Sequence, residues 1–139
     1  MVNVHASGGR RMMEAAAAAV AQRTSARTQL IAVTVLTSMD DTDLLELGIS
    51  ETPAERVGRL AALAQSSGLD GVVCSAQEAA MLSKQCGPED AAGDQRRVVT
   101  PWDAMAGGST YLVMGRSITG AANPTAVVDS IIGKLSSLN

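Results

Sequence analysis

Leu30-Ile31-Ala32-Val33-Thr34-Val35-Leu36 is an almost unbroken run of aliphatic and β-branched residues with no alternating polar face. A strand of that kind must be covered on both sides, which is the condition inside a parallel sheet flanked by helices. Working outward, the polar stretch 23–28 precedes it, and Arg11 to Gln22, rich in Ala, Met and Glu, has strong helix propensity. Before that helix come a short strand at Val2 to His5 and a loop at Ala6-Ser7-Gly8-Gly9. Downstream, Thr37-Ser38-Met39-Asp40-Asp41 supplies a cap and first-turn acids for a short helix from Thr42 to Leu47, stopped by Gly48. A longer helix begins with Pro53 near N1 and carries Val57, Leu60, Ala61 and Ala64 at helical spacing.

The same plan repeats. Gly71-Val72-Val73-Cys74 reads as a buried strand, followed by a cap at Ser75 to Glu78 and a helix from Ala79 to Lys84. Val98-Val99-Thr100-Pro101 opens a helix through Met105, Tyr111 to Met114 is a strand, and Pro124 to Leu138 is a closing helix. Strand, loop and helix in this order imply one α/β domain over residues 1–139, either an open doubly wound sheet or a barrel. Strand length does not separate the two.

Composition sets the class. The chain has 139 residues, 46% hydrophobic and 18% charged, enough for a real core, with no Phe, one Trp and one Tyr, so aliphatic side chains must build it. A net charge of -3 argues against a nucleic-acid partner, which needs clustered cations, and the pairs Arg10-Arg11 and Arg96-Arg97 read as solvated helix starts or loops. Cys74 and Cys86 are too few for a zinc knuckle or disulfide scaffold, and reduced thiols in a cytoplasmic protein are the simple expectation. No apolar stretch reaches the roughly 18 residues of a membrane span, so no membrane partner is expected. Met1 to His5 starts inside a strand pattern without a preceding cap or leader, so further sequence upstream is expected.

Parallel β/α folds place chemistry at the carboxyl ends of strands. Gly115-Arg116-Ser117-Ile118-Thr119 follows the last strand, where a glycine lets backbone N–H groups approach an anion and a guanidinium grips two of its oxygens. Asp94-Gln95-Arg96-Arg97 lies in a polar loop whose Gln95 amide can donate to phosphate, although a solvated loop explains it equally. Thr37 and Ser38 offer hydroxyls suited to the polar edge of a heterocycle, with helix capping as the competing use. His5 near Ser7 lacks a third orienting group, so an internal hydrogen bond suits it better than nucleophilic catalysis. First-turn acids facing a helix dipole explain Asp40, Asp41 and Asp43 more simply than a magnesium site.

Five blocks taken together, residues 2–9, 30–38, 69–79, 93–97 and 113–119, resemble bacterial orotidine 5'-phosphate decarboxylase in order and approximate spacing over nearly the whole chain. The resemblance implies a homodimeric (β/α)8 TIM-type barrel that converts orotidine 5'-phosphate to uridine 5'-phosphate and CO2 without metal or organic cofactor. It implies that Thr37 contacts the pyrimidine, and that Gln95, Gly115 and Arg116 hold the phosphate of a small-molecule nucleotide substrate. The family's catalytic Lys and Asp array, an Asp-x-Lys-x-x-Asp motif with an earlier Lys, is not in these residues and belongs upstream of Met1. The family's Val-Thr-Pro-Gly-Ile-Arg strand is also missing, since only Glu89-Asp90-Ala91-Ala92 stands between Pro88 and Gly93. The expectation is therefore the C-terminal portion of a barrel with four or so strands, lacking the N-terminal strands and one later strand. Alone, it is expected to be inactive, or to act as a non-catalytic half-barrel that retains phosphate binding or a subunit contact.

Overall fold

The computed structural model describes residues 1–23, 28–86, 91–94 and 100–137. Five parallel strands, β1 (Val2–His5), β2 (Leu30–Val33), β3 (Gly71–Cys74), β4 (Ala91–Asp94) and β5 (Tyr111–Val113), pair in the order β1-β2-β3-β4-β5. Sequential order is the winding of a barrel. A doubly wound sheet reverses direction at a switch point, and none occurs among these strands. The helices are α1 (Arg10–Ala21), α2 (Asp41–Glu46), α3 (Pro53–Ser66), α4 (Ala76–Cys86), α5 (Pro101–Ala106), α6 (Arg116–Thr119) and α7 (Pro124–Ser136).

Register and burial divide the strand residues into two faces. Val4, Leu30, Ala32, Val72 and Cys74 pack into the core beneath the helices with Met13, Val57, Leu60, Ala64 and Leu82. Paired residues of parallel strands share a face, and the register aligns Asn3 with Ile31, His5 with Val33, Ile31 with Gly71, and Val33 with Val73. These positions, continued through Ala92 to Tyr111 and through Asp94 to Val113, form the other face, the inner wall of the arc. The core therefore lies between sheet and helices. Tyr111 and Val113 on the inner wall remain 46% and 47% exposed.

One bond reports the curvature. Tyr111 Oη donates to Gln29 Oε1 at 3.2 Å, although β3 and β4 lie between their strands. Side chains on a flat sheet stand parallel to one another, about 14 Å apart after three strand spacings. Three steps round an eight-stranded ring turn the inward normals through about 135°, so the two groups face each other across the interior. Register adds a second measure: Tyr111 is level with Ala92, Val73 and Val33, four residues beyond Gln29. A barrel of eight strands and shear eight staggers by about one residue per strand, or about three here. The arc has the tilt and curvature of an incomplete (β/α)8 barrel.

The expected loss of a later strand is corrected in part. Ala91–Asp94 occupies that slot as β4, so the sheet has five strands rather than four or so, and it is still incomplete. A ladder is built from backbone groups, so a sequence of low β propensity can pair where two flanking strands leave room. β2 ends at Val33, short of the predicted Leu36, because both the Thr34 amide (3.1 Å) and its hydroxyl (2.7 Å) donate to the Val73 carbonyl. Helix α4 starts at Ala76, earlier than predicted, with the Glu78 carboxylate accepting the Ser75 N–H at 3.0 Å. Val98 and Val99 lie outside the described residues.

Helix starts follow their cap chemistry. Asp40 accepts from the amides of Thr42 (2.8 Å) and Asp43 (3.1 Å), and Asp43 accepts from the Asp40 amide (2.9 Å), a capping box at α2. Thr52 and Glu55 make the same arrangement at α3, with Pro53 at N1 as predicted. Leu82 is fully buried in the core whereas Ile132 on α7 is 56% exposed. Leu82→Ala is expected to cost about 2–5 kcal/mol and Ile132→Ala less than about 0.5 kcal/mol, measured by urea unfolding. Equal losses for the two would refute this placement of the core.

Candidate nucleotide site

The carboxyl ends of the strands form one rim, and the loops on it position every described residue singled out from sequence. After β2, the amide of Met39 donates to the Leu36 carbonyl at 2.9 Å, closing a turn with Thr37 and Ser38 at its centre. Thr37 is half-buried and Ser38 exposed. Asp40 takes the capping role at α2, so the competing use of the two hydroxyls does not arise there. Among the described residues neither side chain is engaged in a hydrogen bond, which leaves both to read a polar edge.

After β5, Gly115 is the N-cap of α6, and its carbonyl accepts from the amides of Ile118 (2.9 Å) and Thr119 (3.0 Å). A Cβ added at Gly115 would meet nothing within 4 Å, so open space faces its backbone. Arg116 is exposed, and among the described residues its guanidinium has no ion-pair or hydrogen-bond partner. Thr37 and the pair Gly115-Arg116 share the rim but are three strands apart, on a sheet curved toward a common interior. No contact joins them directly. Gln95, Arg96 and Arg97 lie outside the described residues.

Other candidates fall to structural uses. Asp40 and Asp43 are spent on the capping box. Among the described residues, no three of His, Cys, Asp and Glu gather as a metal site. His5 is exposed at the end of β1, on the inner-wall side. Arg10 donates to Glu14 (3.4 Å), the Ser66 carbonyl (3.1 Å) and Ser66 Oγ (2.9 Å), tying α1 to α3 rather than forming a cationic patch. Thr34 was not singled out from sequence. A lone hydroxyl within an aliphatic run was its only signal, and it anchors the end of β2 to β3, from which the Thr37 turn departs.

Cys74, at the end of β3, is buried, and burial followed by the nearby Glu78 carboxylate pushes its thiol from 9.0 up to about 12. A protonated thiol is a poor nucleophile. A separate groove of about 520 Å³, lined by Trp102, Met114, Val127 and Ile131 among others, lies between α5 and α7. Met114 alternates to the helical side of the sheet, so this groove belongs to the outer layer, away from the rim.

Comparison with known proteins points the same way. A family model described as "Orotidine 5'-phosphate decarboxylase / HUMPS family" matches residues 1–131. A curated Orotidine 5'-phosphate decarboxylase of Marinomonas sp. (strain MWYL1) is 59% identical over 140 residues, covering 92% of this chain and 60% of the relative. That of Neisseria meningitidis serogroup C (strain 053442) is 58% identical over 144 residues, covering 94% and 58%. The chain thus spans about 60% of the length of the curated relatives it matches. Both alignments run longer than the 139-residue chain, so the relatives carry residues within the matched interval that have no counterpart here. Among solved structures, Orotidine 5'-phosphate decarboxylase from Lactobacillus acidophilus superposes with a TM-score of 0.82 at 35% identity, covering 96% of this chain and 62% of that one.

The raised thiol has a consequence for pH. Stability from burying the protonated Cys74 is complete below about pH 9 and is lost as pH rises toward 12, because the unfolded chain releases that proton first. The urea midpoint is expected to fall across that window, and less steeply in Cys74→Ala. Native-state alkylation should modify the half-buried Cys86 before Cys74; the reverse order, read by peptide mass, would contradict this burial.

Proposed function

Since the chain belongs to the Orotidine 5'-phosphate decarboxylase / HUMPS family, we propose that it supplies the pyrimidine- and phosphate-contacting rim of a decarboxylase that converts orotidine 5'-phosphate to uridine 5'-phosphate and CO2. The reaction is a carbon–carbon lyase step of pyrimidine biosynthesis, in a cytoplasmic enzyme. The observation that carries the reading is the shared rim: Thr37 after β2 and Gly115-Arg116 after β5 both open from strand ends toward one interior.

In this reading Thr37 donates to or accepts from the pyrimidine edge. Gly115 offers its backbone to the phosphate, Arg116 holds two phosphate oxygens, and Gln95 adds an amide donor. Binding energy gathered at the phosphate, remote from the reacting carbon, is available to close loops and favour the transition state. The electrostatics that expel CO2 and the proton that replaces it come from the Lys and Asp array, which these 139 residues do not contain. The chain by itself therefore binds without turning over, as one portion of a barrel domain that pairs into a homodimer. The missing internal residues, which in the resemblance include a phosphate-binding Arg, weaken that grip and favour the second reading, a non-catalytic half-barrel with residual phosphate affinity.

Two measurements test this. The purified chain is expected to show no decarboxylation of orotidine 5'-phosphate, monitored by the change in ultraviolet absorbance, and turnover at an enzymatic rate would overturn the account. Uridine 5'-phosphate is expected to bind more tightly than ribulose 5-phosphate by calorimetric titration. Arg116→Ala should weaken nucleotide binding by about 1.5–3 kcal/mol and Thr37→Val by about 1 kcal/mol. Equal affinity for the two phosphates would remove the pyrimidine from the proposal.

A further inference from the structure

We propose that the two open edges of the arc, with the unburied face of α7, form a docking surface for one three-stranded parallel β/α unit that completes an eight-stranded ring. The inference rests on the family reading above and goes beyond it by placing the surface in this chain and defining its occupant.

Strand count and curvature define the vacancy. Among the described strands, β1 and β5 each pair on one side only, so each presents a row of unpaired backbone groups. The Tyr111–Gln29 bond holds the arc at the curvature and stagger of an eight-stranded barrel, so three further strands close it. A barrel of about 250 residues uses roughly 30 for each βα unit, so three units take roughly 90. The share of the Marinomonas relative outside the match, when 60% of it is covered, is of that size.

The outer layer at the β5 edge is equally unfinished. Helix α7 carries Val127, Val128, Ile131, Ile132 and Leu135, an apolar stripe at helical spacing, yet none of its residues is buried. Beside it lies the groove lined by Trp102, Met114, Val127 and Ile131, with the Lys134 ammonium 4.4 Å from the Trp102 ring. In a β/α barrel such a helix packs against its own strand and the next βα unit. At the opposite edge α1 also buries only Met13. The two helices nearest the open edges thus leave apolar surface where a neighbouring unit would lie.

A second copy of this chain suits the vacancy less well. Two five-stranded arcs joined edge to edge make ten strands in a wider ring, in which three steps turn through only about 108°. Gln29 and Tyr111 would then separate.

The test mixes the full 139-residue chain with the amino-terminal segment of the Marinomonas relative that lies outside the match. The expected result is a one-to-one complex by light scattering, with the emission of Trp102, the only tryptophan in this chain, shifted to the blue after subtraction of the segment's own signal. Ile132→Asp should weaken association about tenfold or more while leaving the circular dichroism of the isolated chain unchanged, because Ile132 is not part of its core. Absence of a complex, full affinity in Ile132→Asp, or a symmetric dimer that excludes the segment would each overturn the proposal. A one-to-one complex without affinity for uridine 5'-phosphate would leave the docking surface standing and sink the functional reading. Nucleotide binding by the chain without complex formation would do the reverse.

Discussion

A hydrogen bond between Tyr111 and Gln29, reaching across two intervening strands, expresses the constraint on which the rest of this molecule depends: a parallel sheet that curves toward its own inner face. Curvature sorts the strand residues into an inner wall and a helix-facing layer. It also aims the loops at the carboxyl ends of the strands toward a common interior. Without it, Thr37 and Arg116 would stand on a flat edge at a separation no single ligand needs to bridge.

The core explains why five strands can hold this shape. Packing is concentrated around β2 and β3, where Leu30, Ala32, Val72 and Cys74 meet α3 and α4. The Asp70 carboxylate, accepting the Leu30 amide at 2.8 Å, and Thr34 on the Val73 carbonyl fasten the two ends of that pair. Toward β1 and β5 burial declines, and α7 buries no residue at all. Stability is therefore centred in the sheet while the surfaces available for association lie at its edges.

The rim divides chemistry in the same spatial way. Hydroxyl, backbone and guanidinium groups suited to a nucleotide sit on loops, where side chains can remain uncommitted. Acids elsewhere are absorbed by capping, as at Asp40 and Glu55, and the one buried thiol is held protonated. Such an arrangement binds an anion and a heterocycle but contributes no base or nucleophile of its own among the described residues, in keeping with a family whose chain extends beyond the part matched here.

Local rules sufficed for much of this. The aliphatic runs at 30–36 and 71–74 marked parallel strands because burial on both faces demands apolar residues at every position. Pro53 and Thr100 marked helix starts because their roles are fixed within one turn of chain. The ordered blocks around Thr37 and Gly115-Arg116 marked the candidate site by resemblance, and each lies at a strand end as expected. Other features needed the tertiary structure. The choice between an open sheet and a barrel is a matter of strand order and curvature, which no single strand encodes. The pairing of Ala91–Asp94 as β4 was invisible because Ala-Ala-Gly-Asp has no strand-like pattern; the slot between β3 and β5 determines it, through backbone groups that every residue carries. Likewise Thr34 became an anchor only when β3 supplied the carbonyl it needs. Sequence determines which segments must be buried and which side chains are reactive, whereas register and curvature, being relations between distant backbones, arise only when the strands meet.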